Sequence, residues 1–175
     1  MNKINKALVM AALISTFNAA AMTAEAFSKL TPQQALEQSH QWHRTGEASV
    51  KVLPQSLEAT LPSGEQVSMP LGDQFLLSIA PFVHQTHACT YHVPTGCQGE
   101  MVEETMHLTI KDAISGEILK DEQVTTQKDG FLDVWVPRGG EYQFDIRQGG
   151  LTASEILSSE GNSRTCITTM QLTAL

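Results

Sequence analysis

Turn signals recur at short intervals through the second half of this chain. Glycine-containing turns fall at residues 114–117, 127–130 and 137–140, and such clusters mark reversals of the backbone. Between the turns, apolar and polar side chains alternate, as in residues 131–136, which is the period of a strand with one buried face. Half a dozen short strands with turns roughly every 8–12 residues predict an antiparallel β-sandwich.

The segment before residue 80 begins with a helix. Thr31 is followed by Pro32 and, three positions after Thr31, by Gln34. This is the pattern of an N-cap with a capping box and a proline in the first turn. Gly46 is a helix terminator, so the pattern predicts a helix over residues 32–45.

Strand patterns follow this helix. Residues 49–53, 57–61 and 66–70 alternate, and residues 62–65 have the composition of a hairpin turn. Residues 75–80 form a continuous apolar run, which predicts a buried strand. The predicted fold is therefore mostly β (α+β), with an N-terminal helix and hairpin followed by a C-terminal antiparallel β-sandwich. Because the helix and hairpin are too small to form a core alone, we expect them to pack on the sandwich or on a second copy in a homodimer.

The N-terminus has the features of an export signal. Lys3 and Lys6 precede an apolar run over residues 7–17, and small residues follow. The run is shorter than the roughly 20 residues of a membrane-spanning helix. We therefore predict a signal peptide over residues 1–21, with residue 26 as an alternative cleavage point, no membrane anchor and a periplasmic location. The predicted divisions after it are residues 27–80, the helix and hairpin segment, and residues 81–175, the sandwich with the loop described next.

Residues 84–101 combine most of the unusual chemistry of the chain. They hold Cys89 and Cys97, two of the three cysteines, and three of the six histidines. Pro94, Gly96 and Gly99 interrupt regular structure there, so the segment is predicted to be a loop. Thiolate, imidazole and thioether groups are ligands for soft or borderline metals such as Cu(I) and Zn(II).

The cysteine spacing favours copper over zinc. Cys89 and Cys97 do not form a CxxC pair, which disfavours a zinc ribbon. Cys166 lies near the start of the last predicted strand, residues 165–172, on the same face as Met170. If that strand pairs beside the strand that precedes or follows the loop, Cys166 reaches the other two cysteines. Three soft ligands without a fourth suit Cu(I), which accepts low coordination.

Other interpretations of these residues stay open. Cys89 and Cys97 could form a disulfide, and Cys166 could be a buried core residue. His87 and His92 are each a fourth ligand, a base that lowers a thiol pKa, or a surface residue.

Two methionines and two histidines lie outside that set. Met101 is a soft donor, whereas Met106 alternates with core positions and is predicted to be core. His40 and His43 share one helix face and are interpreted as surface residues, outside the site.

Charge and motifs exclude several functions. The formal net charge of −8 argues against nucleic acid as a partner. GxSxG, HExxH and phosphate-loop motifs are absent from the sequence, so a hydrolase is disfavoured and no enzyme activity is predicted. Three classes remain: a copper-binding protein, a thiol–disulfide redox protein, and an inert exported β-sandwich with one structural disulfide.

The run from Cys89 to Met101 resembles the CueP family of periplasmic copper-binding proteins. The likeness extends to the Thr31-Pro32 helix start, the strand block 134–137 and a third cysteine near the C-terminus. It implies that Cys89, Cys97 and Cys166 hold Cu(I), with His87, His92 and Met101 as auxiliary candidates. It also implies copper tolerance, delivery of copper to a periplasmic copper/zinc superoxide dismutase, and thiol-linked reduction of Cu(II). A periplasmic disulfide isomerase is the expected partner that resets the thiols.

Overall fold

The computed structural model describes residues 22–174, and the predicted signal peptide over residues 1–21 lies outside them. The first elements are helix α1, Ala24–Ser28, and helix α2, Pro32–Gln41. The capping box predicted at Thr31 and Gln34 is present. Helix α1 was not predicted, since its sequence coincides with the small residues of the alternative cleavage region. None of the helices within residues 22–174 is long and apolar enough to cross a membrane.

Helix α2 ends earlier than the predicted residue 45. Residues 42–44 form turns, and Arg44 has a positive φ of 56°. The backbone N–H of Arg44 donates to the carbonyl of Thr95 at 2.9 Å. A tertiary hydrogen bond to the loop thus replaces the last helical turn, and Gly46 follows in the left-handed region.

Eleven strands make up three sheets within the described residues. Their bounds are β1 Ser49–Val52, β2 Ser56–Thr60, β3 Gln66–Pro70, β4 Gln74–Ile79, β5 Thr105–Asp112, β6 Ile118–Thr125, β7 Leu132–Pro137, β8 Glu141–Gln148, β9 Leu151–Ser158, β10 Cys166–Ile167 and β11 Thr173–Ala174. The orders are β1-β2-β3, β10-β4-β7 and β11-β9-β8-β5-β6. The mostly β fold is confirmed. All pairings are antiparallel except that of β10 with β4, together with an isolated parallel bridge between Phe82 and Gln171.

Strand β4 lies at the centre of the molecule. Its Phe75, Leu77 and Ile79 pack in the sandwich core with apolar residues of β5, β7 and β8. Its Leu76 points to the opposite side and packs in a second core with the helices and the β1-β2-β3 sheet. Burial on both faces explains why residues 75–80 are continuously apolar. The N-terminal segment therefore packs on the sandwich.

The C-terminal segment differs from the predicted strand over residues 165–172. Only Cys166 and Ile167 form β10, which pairs with Ser78 and Ile79 of β4, the strand that precedes the loop. This pairing meets the condition under which Cys166 reaches the other two cysteines. The predicted shared face is wrong, because Ile167 and Met170 pack in the main core while Cys166 belongs to a separate cluster. Regular alternation ends after Ile167, where β10 stops and the chain turns.

Candidate metal centre

The predicted loop connects β4 to β5 and is folded by its own hydrogen bonds. The Glu100 carboxylate accepts backbone N–H groups of Val83 at 2.7 Å and His84 at 2.9 Å. Further along, the carbonyl of Val93 accepts the N–H of Cys97 at 2.7 Å. These bonds satisfy backbone groups of a segment that forms no strand and give the two loop cysteines defined positions.

The structure brings the three predicted cysteines together. Cys89 and Cys166 form a disulfide with Cα atoms 5.6 Å apart. Cys97 is the free cysteine of the described residues, and its Sγ lies 3.9 Å from that of Cys89. Of the interpretations left open, a Cys89–Cys97 disulfide is wrong, whereas Cys166 is indeed buried in an apolar cluster and is also bonded to Cys89. The cluster is in its oxidised form, with one thiol beside one disulfide.

Two histidines lie next to the sulfurs. The exposed His87 has a ring nitrogen within 4.8 Å of the sulfurs of Cys89 and Cys97. The fully buried His92 has a ring nitrogen within 4.8 Å of the sulfurs of Cys97 and Cys166. Each histidine is thus within reach of an ion held by the sulfurs. They differ in environment, because one lies at the solvent boundary and the other lies inside the protein.

Phe131 is a site residue that the sequence did not indicate. It is fully buried in a small cluster with Ala80 and Cys166, against which Cys89 and Cys97 pack. Its ring centroid lies 4.2 Å from that of His92 and 6.5 Å from that of His87. The sequence carried no signal for this role, since a phenylalanine after a turn is an ordinary core residue. Phe131 therefore provides an apolar surface against which the cysteines pack.

Buried carboxylates near the cysteine cluster influence the protonation states of His92 and Cys97. Burial lowers the pKa of His92, but its interactions with Asp129 and Cys97 and the charge of Asp133 outweigh burial and raise the pKa to about 9. His92 Nε2 lies 3.4 Å from Asp129 Oδ2, a close charge contact that is longer than a regular hydrogen bond. Burial raises the pKa of the Cys97 thiol, but the interactions with His92 and with the Val93 backbone outweigh burial and the pKa is lowered. The two groups therefore favour an imidazolium–thiolate pair.

This pairing predicts the pH dependence of thiol reactivity. In the disulfide form, Cys97 should be alkylated by iodoacetamide with a midpoint below the pH of an ordinary thiol, because the thiolate reacts and His92 stabilises it. His92→Gln removes that interaction while the thiol stays partly buried, so the midpoint should rise above the ordinary value. Alkylation rates across pH, followed by mass spectrometry, measure both midpoints.

A suitable control is His107→Gln, which removes an exposed histidine paired with Asp121. It should leave the alkylation midpoint of Cys97 unchanged. Equal midpoints in the His92→Gln variant and the unmodified protein would contradict the proposed pairing.

The interpretation of His40 and His43 as surface residues is wrong, because both side chains bond to other parts of the protein. His40 Nε2 lies 2.8 Å from Asp133 Oδ2, and the His40 side chain is 10% exposed. His43 Nδ1 lies 2.9 Å from the carbonyl oxygen of Pro94. The i, i+3 spacing predicts one shared face, and this face is turned towards the loop, where Arg44 also bonds to Thr95. His40 therefore bonds to Asp133, and His43 bonds to the loop that carries the cysteines.

Met101 and Met106 lie in the sandwich. Met101 and Met106 are 8% and 3% exposed and belong to the main hydrophobic core. The core role predicted for Met106 is confirmed. The Met101 carbonyl also accepts the hydroxyl of Thr126 at 2.6 Å, which fixes the start of the return to β5. The sulfur of Met101 thus contributes to core packing, and its role as a copper ligand stays a prediction.

Comparison with known families identifies the family to which the chain belongs. A family model described as "Periplasmic copper-binding protein CueP" matches residues 33–171, which include all three cysteines. The chain belongs to the CueP family. The crystal structure of S.CueP matches with a TM-score of 0.77 and 29% identity, covering 83% of this chain and 91% of that one. A search among curated proteins gave no match. The CueP resemblance stated from the loop residues is confirmed.

Proposed function

We propose that this CueP family member holds one Cu(I) through Cys89, Cys97 and Cys166 once the disulfide is reduced. The observation that carries the proposal is the convergence of all three sulfurs on one cluster, although Cys166 is separated from Cys89 by 77 positions. Thiolates are soft ligands and select Cu(I). His87 and His92 are auxiliary donors next to the sulfurs.

The low coordination number adds to this preference. Structural zinc sites are tetrahedral and closed by four protein ligands. Here a fourth ligand would have to come from one of the two flanking histidines, whose surroundings differ. Cu(I) is stable with three thiolates alone. We therefore infer selectivity for Cu(I) over Zn(II).

The disulfide supports a redox role for the same residues. Two thiols that close into the Cys89–Cys166 bond release two electrons and two protons, and the electrons reduce two Cu(II) ions to Cu(I). Resetting the thiols then requires an external dithiol, such as that of a periplasmic disulfide isomerase. The same observation favours the second candidate function, a thiol–disulfide redox protein, in which metal binding would play no part.

The open side of the cluster supports copper transfer. A cleft of about 390 Å³ beside Cys97 is lined by Arg44, His87, Val93, Gly96 and Gln98. Cys166 and His92 are fully buried and do not line the cleft. We propose that copper enters and leaves through the cleft past His87. Copper tolerance, delivery to a periplasmic copper/zinc superoxide dismutase and a homodimeric state belong to the same proposal.

Metal stoichiometry separates the candidate functions. On anaerobically reduced protein we expect one Cu(I) per chain that equimolar Zn(II) does not displace, because the donors are soft and few. The variant with all three cysteines changed to serine should retain no copper. Elemental analysis after desalting, with a thiol titration on the same sample, makes the measurement. Equal retention of zinc, or copper retained by the triple variant, would contradict the copper assignment.

A further inference from the structure

A chain of buried polar groups lies beneath the cysteine cluster. Asp129 is fully buried, and its Oδ2 atom lies 3.4 Å from Nε2 of His92 and 3.6 Å from Nδ1 of His40. His40 in turn contacts Asp133 through its other nitrogen at 2.8 Å. Within residues 22–174, neither Asp129 Oδ2 nor the two histidine nitrogens that face it make a regular hydrogen bond. A buried carboxylate is retained only where it is compensated, so its contacts with two histidines require an explanation.

We propose that Asp129 is the positioning residue of the copper site, holding the His92 ring against the sulfurs, with His40 bracing Asp129 from helix α2. The inference rests on the proposed function, since it assigns a purpose to His92 at that site. Histidines at metal centres commonly place one ring nitrogen on a carboxylate, which fixes the orientation of the ring towards the ion. His92 makes both kinds of contact, since its Nε2 lies 3.4 Å from Asp129 Oδ2 and one of its ring nitrogens lies within 4.8 Å of the sulfurs of Cys97 and Cys166.

The carboxylate is itself held rigidly. Its Oδ1 accepts the N–H of Phe131 at 3.0 Å, and its backbone carbonyl accepts the N–H of Gly99 at 2.6 Å. Gly130 and Gly99 are in backbone contact, since a Cβ on Gly130 would lie 2.8 Å from the Gly99 carbonyl oxygen. The Asp129 turn is therefore docked on the loop two residues beyond Cys97.

Together these contacts leave the His92 ring little freedom. Phe131 covers the ring at a centroid distance of 4.2 Å, and Asp129 contacts its Nε2 edge. The His92 backbone is also tied down, because its N–H donates to Thr165 Oγ1 at 3.1 Å and its carbonyl accepts from Val52 at 2.8 Å. Thr165 directly precedes Cys166, so His92 is held in register with the third sulfur. A ring held in this way can meet an ion without reorganisation.

A double-mutant cycle tests whether Asp129 acts through His92. Cu(I) affinity is measured on the reduced full chain by competition with bicinchoninate for Asp129→Asn, His92→Gln and the double variant. Asp129→Asn should weaken binding by about tenfold to hundredfold, the usual effect of losing such a partner. The double variant should bind no more weakly than His92→Gln alone. An unchanged affinity in Asp129→Asn, or losses that add in the double variant, would overturn the inference.

The matched control is Asp133→Asn. Asp133 is also a buried carboxylate and is bonded to His40, Ser78 and Gln127. It acts on His92 through its charge and makes no hydrogen bond to the ring, so it cannot hold the ring in place. Asp133→Asn should lower the free energy of unfolding, measured with urea. In the Asp133→Asn background, His92→Gln should still weaken Cu(I) binding by nearly as much as it does in the unmodified protein. If Asp129→Asn does not fold, His40→Gln takes its place in the cycle, with a smaller expected loss that also disappears in the His92→Gln background.

A measurement without copper keeps this inference distinct from the proposed function. In the disulfide form, Asp129→Asn should shift or broaden the ¹⁵N resonances of the His92 ring, while those of His107 stay in place. Unchanged His92 resonances would overturn the positioning role whether or not the protein binds Cu(I). Failure of the unmodified protein to bind Cu(I), with His92 resonances that respond to Asp129→Asn, would reject the proposed function and leave the positioning of His92 supported.

Discussion

Oxidation of Cys89 and Cys166 to their disulfide is expected to abolish tight Cu(I) binding. The disulfide removes two of the three thiolates, and Cys97 alone cannot replace them. Binding should fall from one Cu(I) per reduced chain to essentially none and should return after anaerobic reduction. A Cu(I) competition assay on matched oxidised and reduced samples, each with its free thiols counted, provides the measurement.

Two cysteine variants refine this test. Cys97→Ser should still form the disulfide but should bind Cu(I) weakly in both redox states. Cys166→Ser should weaken binding while leaving Cys89 and Cys97, whose sulfurs are 3.9 Å apart, able to pair. Undiminished affinity in the oxidised protein would show that the copper ligands are other residues, such as His87, His92 or Met101.

Replacing Phe131 by alanine is expected to destabilise both the fold and the site. A fully buried phenylalanine changed to alanine typically costs about 3–5 kcal/mol of unfolding free energy, because contacts are lost and a cavity remains. The cavity would lie between His92, Cys166 and the loop cysteines, so the ligands should also lose their fixed positions. Urea unfolding gives the stability change, and Cu(I) competition on the reduced variant gives the loss of affinity.

Phe144→Ala is the matched control for this substitution. Phe144 is equally buried but packs in the main sandwich core with residues of β4 and β5. Both variants should lose comparable stability, and only Phe131→Ala should lose Cu(I) affinity. If either variant fails to fold, Phe131→Leu and Phe144→Leu make the same comparison with a smaller loss of unfolding free energy. Equal affinities in the folded Phe131 and Phe144 variants would argue that Phe131 is simply a core residue.

Local patterns predicted most of the elements but not all of their ends. The capping box at Thr31 and the alternation in β5, β7 and β8 depend on nearest neighbours in the chain, and these predictions are confirmed. The end of α2 depends on a hydrogen bond between Arg44 and Thr95, which are far apart in sequence. The short β10 likewise follows from its pairing with β4 rather than from its own alternation.

The residue types of the sequence determined that the loop between β4 and β5 carries soft metal ligands, and the loop composition identified the CueP family. Only the tertiary structure decided that Cys89 pairs with Cys166, that His92 is buried, and that His40, Asp129 and Phe131 surround the site. The physical reason is that thiol and imidazole chemistry belongs to single residues. Burial, disulfide pairing and the pKa shift of His92 instead arise from groups in five separate segments: α2, the loop, the turn that precedes β7, strand β7 itself, and β10. These segments become neighbours only when the sheets pack.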